Sequence, residues 1–177
     1  SPKGGDSADG KTVLPGKTLE SRPKGAALSP TEAYNLAYND YLKGNYDLAI
    51  LSFQNFVQQY PGSALIPQVI YWTGESYYSK RSYSKAVDYF EQAVSLAPDW
   101  PRAHTRLADA YIAMMMYASM RPSEAIPKAR AAAGKALEID ESLGEAHASL
   151  AQIAARCDWD WLTAHREIQR ALVLSPN

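Results

Sequence analysis

A single cysteine, Cys157, is all that the chain of 177 residues contains. A lone thiol closes no intramolecular disulfide and builds no thiolate metal cage. An excess of charge of one sign is also missing, the formal net charge being −1 at pH 7. That balance gives no bulk attraction to phosphate backbones or anionic membranes, so nucleic acid is not an expected partner. Long hydrophobic runs are absent as well. The longest strongly apolar stretch, YIAMMMYA at 111–118, is far short of a membrane span, and no membrane insertion is expected. No glycine-rich phosphate loop occurs, and no acid, base and nucleophile stand at spacings that argue for catalysis. The expectation is therefore a protein that is not an enzyme and needs no cofactor. The histidines number three. His104 and His147 fall at equivalent places in two similar stretches, which explains them as packing residues and leaves no ligand set for a metal. In CDWDW (157–161) no base lies beside Cys157, and Asp158 raises the thiol pKa, so the segment reads as a turn with Trp159 and Trp161 packed between helices. The chain begins at Ser1 rather than Met, as a processed or excised product would.

What is present is a repeated skeleton. YDLAILSFQNFVQQYP (46–61) and YSKAVDYFEQAVSLAP (83–98) share Tyr46/Tyr83, Ala49/Ala86, Phe53/Phe90, Phe56/Ala93 and Pro61/Pro98 at a constant offset (98 − 61 = 37). Spacings of three and four set these side chains on one helical face that a proline then ends. A period in the thirties points to stacked helical hairpins. Helices are predicted near 31–43, 46–60, 64–80, 83–97, 101–118, 123–139, 144–156 and 160–174, with no period-two run and no hairpin signal for strands. AHTRLADAY (103–111) and AHASLAQIA (146–154) align as first helices of later copies, and the third hairpin carries an insertion around MMMYASMRPSEAIP. Ser123 is the expected cap there, placing Pro127 in a first turn. Residues 1–29, rich in Gly and Pro and nearly without apolar side chains, read as a flexible linker. Order is expected from SPTEAY, with Ser29 or Thr31 as cap and Pro30 in the first turn.

These residues resemble tetratricopeptide repeats. The second copy carries the pattern best, through Gly74, Tyr77, Ala86, Phe90, Ala93 and Pro98. The resemblance implies an all-α fold, a right-handed α-solenoid of about four hairpins over 30–62, 63–98, 99–141 and 142–177. Residues 30–97 are similar to the C-terminal repeats of the periplasmic coordinator of the Tol–Pal system. Residues 98–177 are similar to repeat arrays of winged-helix regulators and adenylate cyclases. A natural hybrid, a recombined chain or a third family would each explain the change of style near Pro98.

The family's groove-facing positions fall on Tyr34, Tyr38 and Tyr41, then Tyr71, Trp72, Glu75 and Tyr78, then Arg102 and Arg106. The resemblance thus implies a scaffold that binds a protein or peptide on an aromatic trough, in the periplasm as part of a cell-envelope complex. The alternative is a sensor domain of a larger cytoplasmic signalling protein. The rings have a second reading as packing between helices. Arg102 and Arg106, one turn apart, can point the same way and hold a carboxylate, or form a solvated basic face.

Overall fold

A computed structural model describes residues 27–117 and 119–175. The linker expectation falls mainly on residues 1–26, which lie outside the described residues. Helices α1 (Pro30–Leu42), α2 (Tyr46–Gln59), α3 (Ile66–Ser79), α4 (Tyr83–Leu96), α5 (Pro101–Met116), α6 (Pro122–Ile139), α7 (Gly144–Ile153) and α8 (Trp161–Leu174) follow one another, with a π-helical turn at Ala154–Asp158. No strand occurs among the described residues. Helix α1 starts at a reciprocal cap: the Glu32 amide donates to the Ser29 hydroxyl, and the Ser29 amide donates to the Glu32 carboxylate at 2.9 Å. Pro30 occupies the first helical position, where its missing N–H costs nothing.

Each helix packs against the one before and the one after it. In addition α1 touches α3 and α5 touches α7, whereas the second helices α2 and α4 meet more sparsely, the Gln54 amide donating to the Tyr89 hydroxyl at 3.2 Å. The first helices therefore sit closer together and form the inner face of a curved stack. Close packing of the two layers rests on small residues set against large rings. Ala49, Ala86, Phe53 and Phe90 are fully buried. A Cβ built on Gly74 would stand 2.8 Å from the Phe90 ring, so the glycine is what lets α3 and α4 close on it. The turns repeat as well. Gly44 and Arg81, at the same offset (81 − 44 = 37), both adopt positive φ, 79° and 60°. The glycine does so freely, and the arginine does so against the usual preference of an L-residue.

Two local expectations are corrected. Helix α6 begins at Pro122 with Arg121 as the cap, ahead of the start that a Ser123 cap would give, so Pro127 lies inside the helix. Pro122 is already suited to the first helical position, which fixes the earlier start. Trp159 and Trp161 do not pack between hairpins: they are 72% and 64% exposed. The π-helical turn and the left-handed Trp159 (φ 56°) rotate both rings outward. The outer side of α8 is open too. Ile168, equivalent to the fully buried Phe53 and Phe90, is 48% exposed because no described helix follows to cover it.

The last hairpin is held by a buried pair. His147 Nδ1 lies 2.8 Å from Glu167 Oε2, and His147 Nε2 lies 3.2 Å from the Glu141 carbonyl oxygen. Burial pushes the Glu167 carboxyl up, but hydrogen bonds from His147 and Arg166 outweigh it and hold it below the usual carboxylate value. A depressed folded pKa stabilises above the unfolded value and is lost as pH falls through the folded one. Glu167→Gln is therefore expected to melt below the parent at pH 7, with the gap closing under about pH 4 as the parent's carboxylate protonates. Thermal melts of both proteins at the two pH values check this, and a gap that does not narrow would contradict it.

Candidate partner-binding groove

The trough is built from helix spacing. Tyr34, Tyr38 and Tyr41 recur at intervals of four and three along α1, so their rings lie in one row on the inner face. Their centroids are 6.1 Å and 6.2 Å apart and their planes are nearly parallel, at 10° and 13°. Trp72, from α3, leans against this row, 4.7 Å from the Tyr38 ring and 4.9 Å from that of Tyr41. These four aromatics are half-buried. Burial pushes the Tyr34 phenol up, offset by a hydrogen bond from Trp72. Burial and the charge of Glu75 raise Tyr41, offset by a hydrogen bond from Ser79.

Tyr71 takes a different part. It is 3% exposed, wedged 5.7 Å from Phe90 and 4.6 Å from Trp100, so it forms the wall beneath the groove. Sequence reasoning passed over Trp100 because it precedes Pro101 in a turn. Its only signal is that a large aromatic is uncommon at such a site.

The two arginines part company. The Arg106 guanidinium bonds Glu75 on α3, with Nη2 to Oε2 at 3.1 Å, and donates from Nη1 to Asp109 Oδ2 at 3.0 Å. It also lies over Tyr78, 4.4 Å from the ring centroid. Ser149 on α7 donates its hydroxyl to Asp109 Oδ1 at 2.6 Å, so one polar chain joins three successive first helices. Burial lowers the Arg106 pKa on its own, but Glu75 and Asp109 overcome this and hold the group firmly charged. Burial raises Asp109, against the pull of Ser149 and Arg106. Arg102 has only a loose contact with Glu145 at 3.9 Å and an exposed side chain. Among the described residues that line the groove it is the more loosely held of the two arginines.

A cavity of about 500 Å³ brings most of the sequence-derived residues together, lined by Tyr38, Tyr41, Trp72, Glu75, Arg102 and Arg106 among others. Tyr34 stands at the end of the tyrosine row outside it, and Tyr78 borders a neighbouring cavity of about 240 Å³ with Tyr83 and Tyr117. Ser149 and Ser79 act on the site without having been singled out, since a serine on a helix carries no periodic signal of its own. Among the described residues no group of three His, Cys, Asp or Glu is placed to hold a metal. Burial and then Asp158 push the Cys157 thiol pKa up, which disfavours the thiolate.

The YfiO family, described as outer membrane lipoprotein, matches residues 26–143, a span that runs across Pro98. No curated protein matches the chain. Among solved structures, the thermophilic TPR protein TTC0263 of Thermus thermophilus superposes with a TM-score of 0.71 at 19% identity, over 83% of this chain and 75% of that one. MamA (41-end) from Desulfovibrio magneticus RS-1 gives 0.67 at 23% identity, over 82% and 75%. The first TPR of Spaghetti (RPAP3), bound to the HSP90 peptide SRMEEVD, gives 0.61 at 18% identity, over 71% and 90%. The fold is an all-α tetratricopeptide-repeat solenoid.

Proposed function

We propose, for a chain that belongs to the YfiO outer membrane lipoprotein family, a non-catalytic scaffold on the periplasmic side of the cell envelope. It receives an extended segment of a partner protein in the groove of its first helices. The observation that carries this reading is the row of half-buried aromatic rings of Tyr34, Tyr38, Tyr41 and Trp72 beside the loosely held Arg102. Aromatic rings give contact area at low entropy cost, and a free guanidinium adds a directional anchor. Tyr71, Glu75, Tyr78 and Arg106 hold the floor in shape. A related fold that holds a peptide, in the RPAP3 structure, supports the same use of the architecture. The similarity of residues 30–97 to the Tol–Pal coordinator's repeats supports a place in an envelope complex of that kind.

The test is positional. A photo-crosslinking residue at Leu42, on the groove rim, is expected to trap a partner in envelope extracts. The same residue at Leu51, exposed at 55% on α2, is expected to trap none. Equal capture from both, or capture from Leu51 alone, would move the interface to the other side of the solenoid.

A further inference from the structure

We propose, independently of what the groove holds, that α8 docks the protein on the surface of an anionic lipid bilayer, lying in the interfacial layer. Ala164 and Glu167 turn inward and are buried, so the hairpin uses one side of this helix. Trp161, His165, Ile168 and Leu172, at intervals of four, three and four, lie about a quarter-turn from that side. Leu162 and Val173 widen the strip farther round, at 79% and 76% exposed. From Trp161 to Val173 this exposed, mainly apolar strip runs about 18 Å along the helix. A strip of that kind marks a contact surface. None of the helices among the described residues is long and apolar enough to cross a membrane, so a bilayer contact here runs along its surface.

The charges at its border favour a bilayer as the cover. Arg166 and Arg170 are exposed beside the strip, whereas Glu167, the one carboxylate of α8, is buried and held by His147 and Arg166. Arg156 is exposed at the tryptophan end, with Met116 Sδ 3.8 Å away. The neighbouring acids are engaged: Asp158 by Arg130 at 2.7 Å, Asp160 by the Thr163 amide at 3.0 Å, and Glu138 by Lys135 at 3.0 Å. Glu141, past the end of α6, lines the adjoining cavity with Arg170 and can offset that one cation. Guanidiniums around an apolar strip bond lipid phosphates while the strip enters the headgroup–acyl boundary. A second copy packed antiparallel on the strip would instead bring Arg166 and Arg170 of both copies to one edge, where they repel. The net charge of −1 does not oppose docking, because the attraction acts within a Debye length of about 8–10 Å. Two tryptophans stand at the N-terminal end of the strip, edge to face with centroids 6.2 Å apart. Trp159 keeps a left-handed φ of 56°, unfavourable for so large a residue, with its ring in solvent. Indole rings settle at headgroup level, where an apolar body and an N–H donor are both satisfied.

The test is flotation of the full chain with vesicles of phosphatidylethanolamine and phosphatidylglycerol in equal parts, compared with phosphatidylcholine vesicles. The chain is expected to float with the anionic vesicles, and less so as salt is raised. Leu162→Asp with Val173→Asp is expected to weaken this binding at least about tenfold, and Trp159→Ala with Trp161→Ala likewise. Arg170→Gln is expected to weaken it about fivefold. All these positions are exposed, so thermal melts of the variants are expected to stay near the parent's. No flotation with the anionic vesicles, or flotation that none of the variants reduces, would overturn the proposal. Equal binding to phosphatidylcholine would overturn the anionic assignment. Sedimentation without lipid tests the rival cover: a parent dimer that Leu162→Asp with Val173→Asp dissociates, together with absent flotation, would assign the strip to a second copy instead.

Discussion

Phe90→Ala is expected to lower the stability of the chain by about 3–5 kcal/mol. The ring is fully buried, lies 2.8 Å from where a Gly74 Cβ would be, and is in contact with Tyr71. Removing it forfeits its burial and leaves a void between two helices whose backbones are already close. Relaxation into the void is limited, because Tyr71 is held from its far side by Trp100. The reverse change, Gly74→Ala, presses a methyl group into the same ring and is expected to cost about 1–3 kcal/mol. Combined with Phe90→Leu, which draws the side chain back, Gly74→Ala is expected to cost less than the two separate losses added together. Urea unfolding of the parent and these variants measures all of this. A Phe90→Ala midpoint equal to the parent's would show that α3 and α4 do not meet at this ring.

Arg106→Met is the second large loss, expected at about 3 kcal/mol near neutral pH. The guanidinium is mostly buried and is shared by Glu75 and Asp109, whose side chains are 9% and 21% exposed. Without it two carboxylates face each other with no cation between them. Burial already raises the Asp109 pKa in the parent, and losing Arg106 raises it further. A group with a raised folded pKa destabilises when it is forced to ionise, so the deficit of Arg106→Met is expected to shrink as the solution is acidified to about pH 5. Adding Glu75→Gln and Asp109→Asn, which remove the stranded charges, is expected to recover most of the loss at pH 7 as well. Unfolding titrations of the single and triple variants at both pH values decide it. A single variant as stable as the parent would mean that solvent, not Arg106, neutralises these groups.

The helical skeleton was readable because it is local. Ala49, Phe53 and Pro61 recur as Ala86, Phe90 and Pro98, and spacings of three and four within one helix suffice to orient them. Which face carries the aromatics was readable for the same reason. The depth of each residue in that face was not. Tyr71 and Trp72 are neighbours in sequence, yet one is sealed under Trp100 and the other is half open. That difference is made by a turn residue that belongs to no periodic pattern. Likewise the partner of Arg106 is Glu75, 31 residues away on another helix, and only the stacking register of two hairpins puts them opposite. The outward Trp159 and Trp161 depend on a single π-helical turn, for which the sequence carries no distinctive mark.

The open outer side of α8 bears on how motion reaches the groove. A stacked array behaves as a row of coupled units, and the unit with a neighbour on one side only opens most readily. The last described hairpin contains α7, and α7 carries Ser149, the donor that satisfies Asp109. Each loosening of the last hairpin therefore slackens one end of the polar chain that runs through Asp109 and Arg106 to Glu75 under the tyrosine row. Among the described residues the last hairpin and the floor of the groove thus share one chain of hydrogen bonds, so neither settles independently of the other.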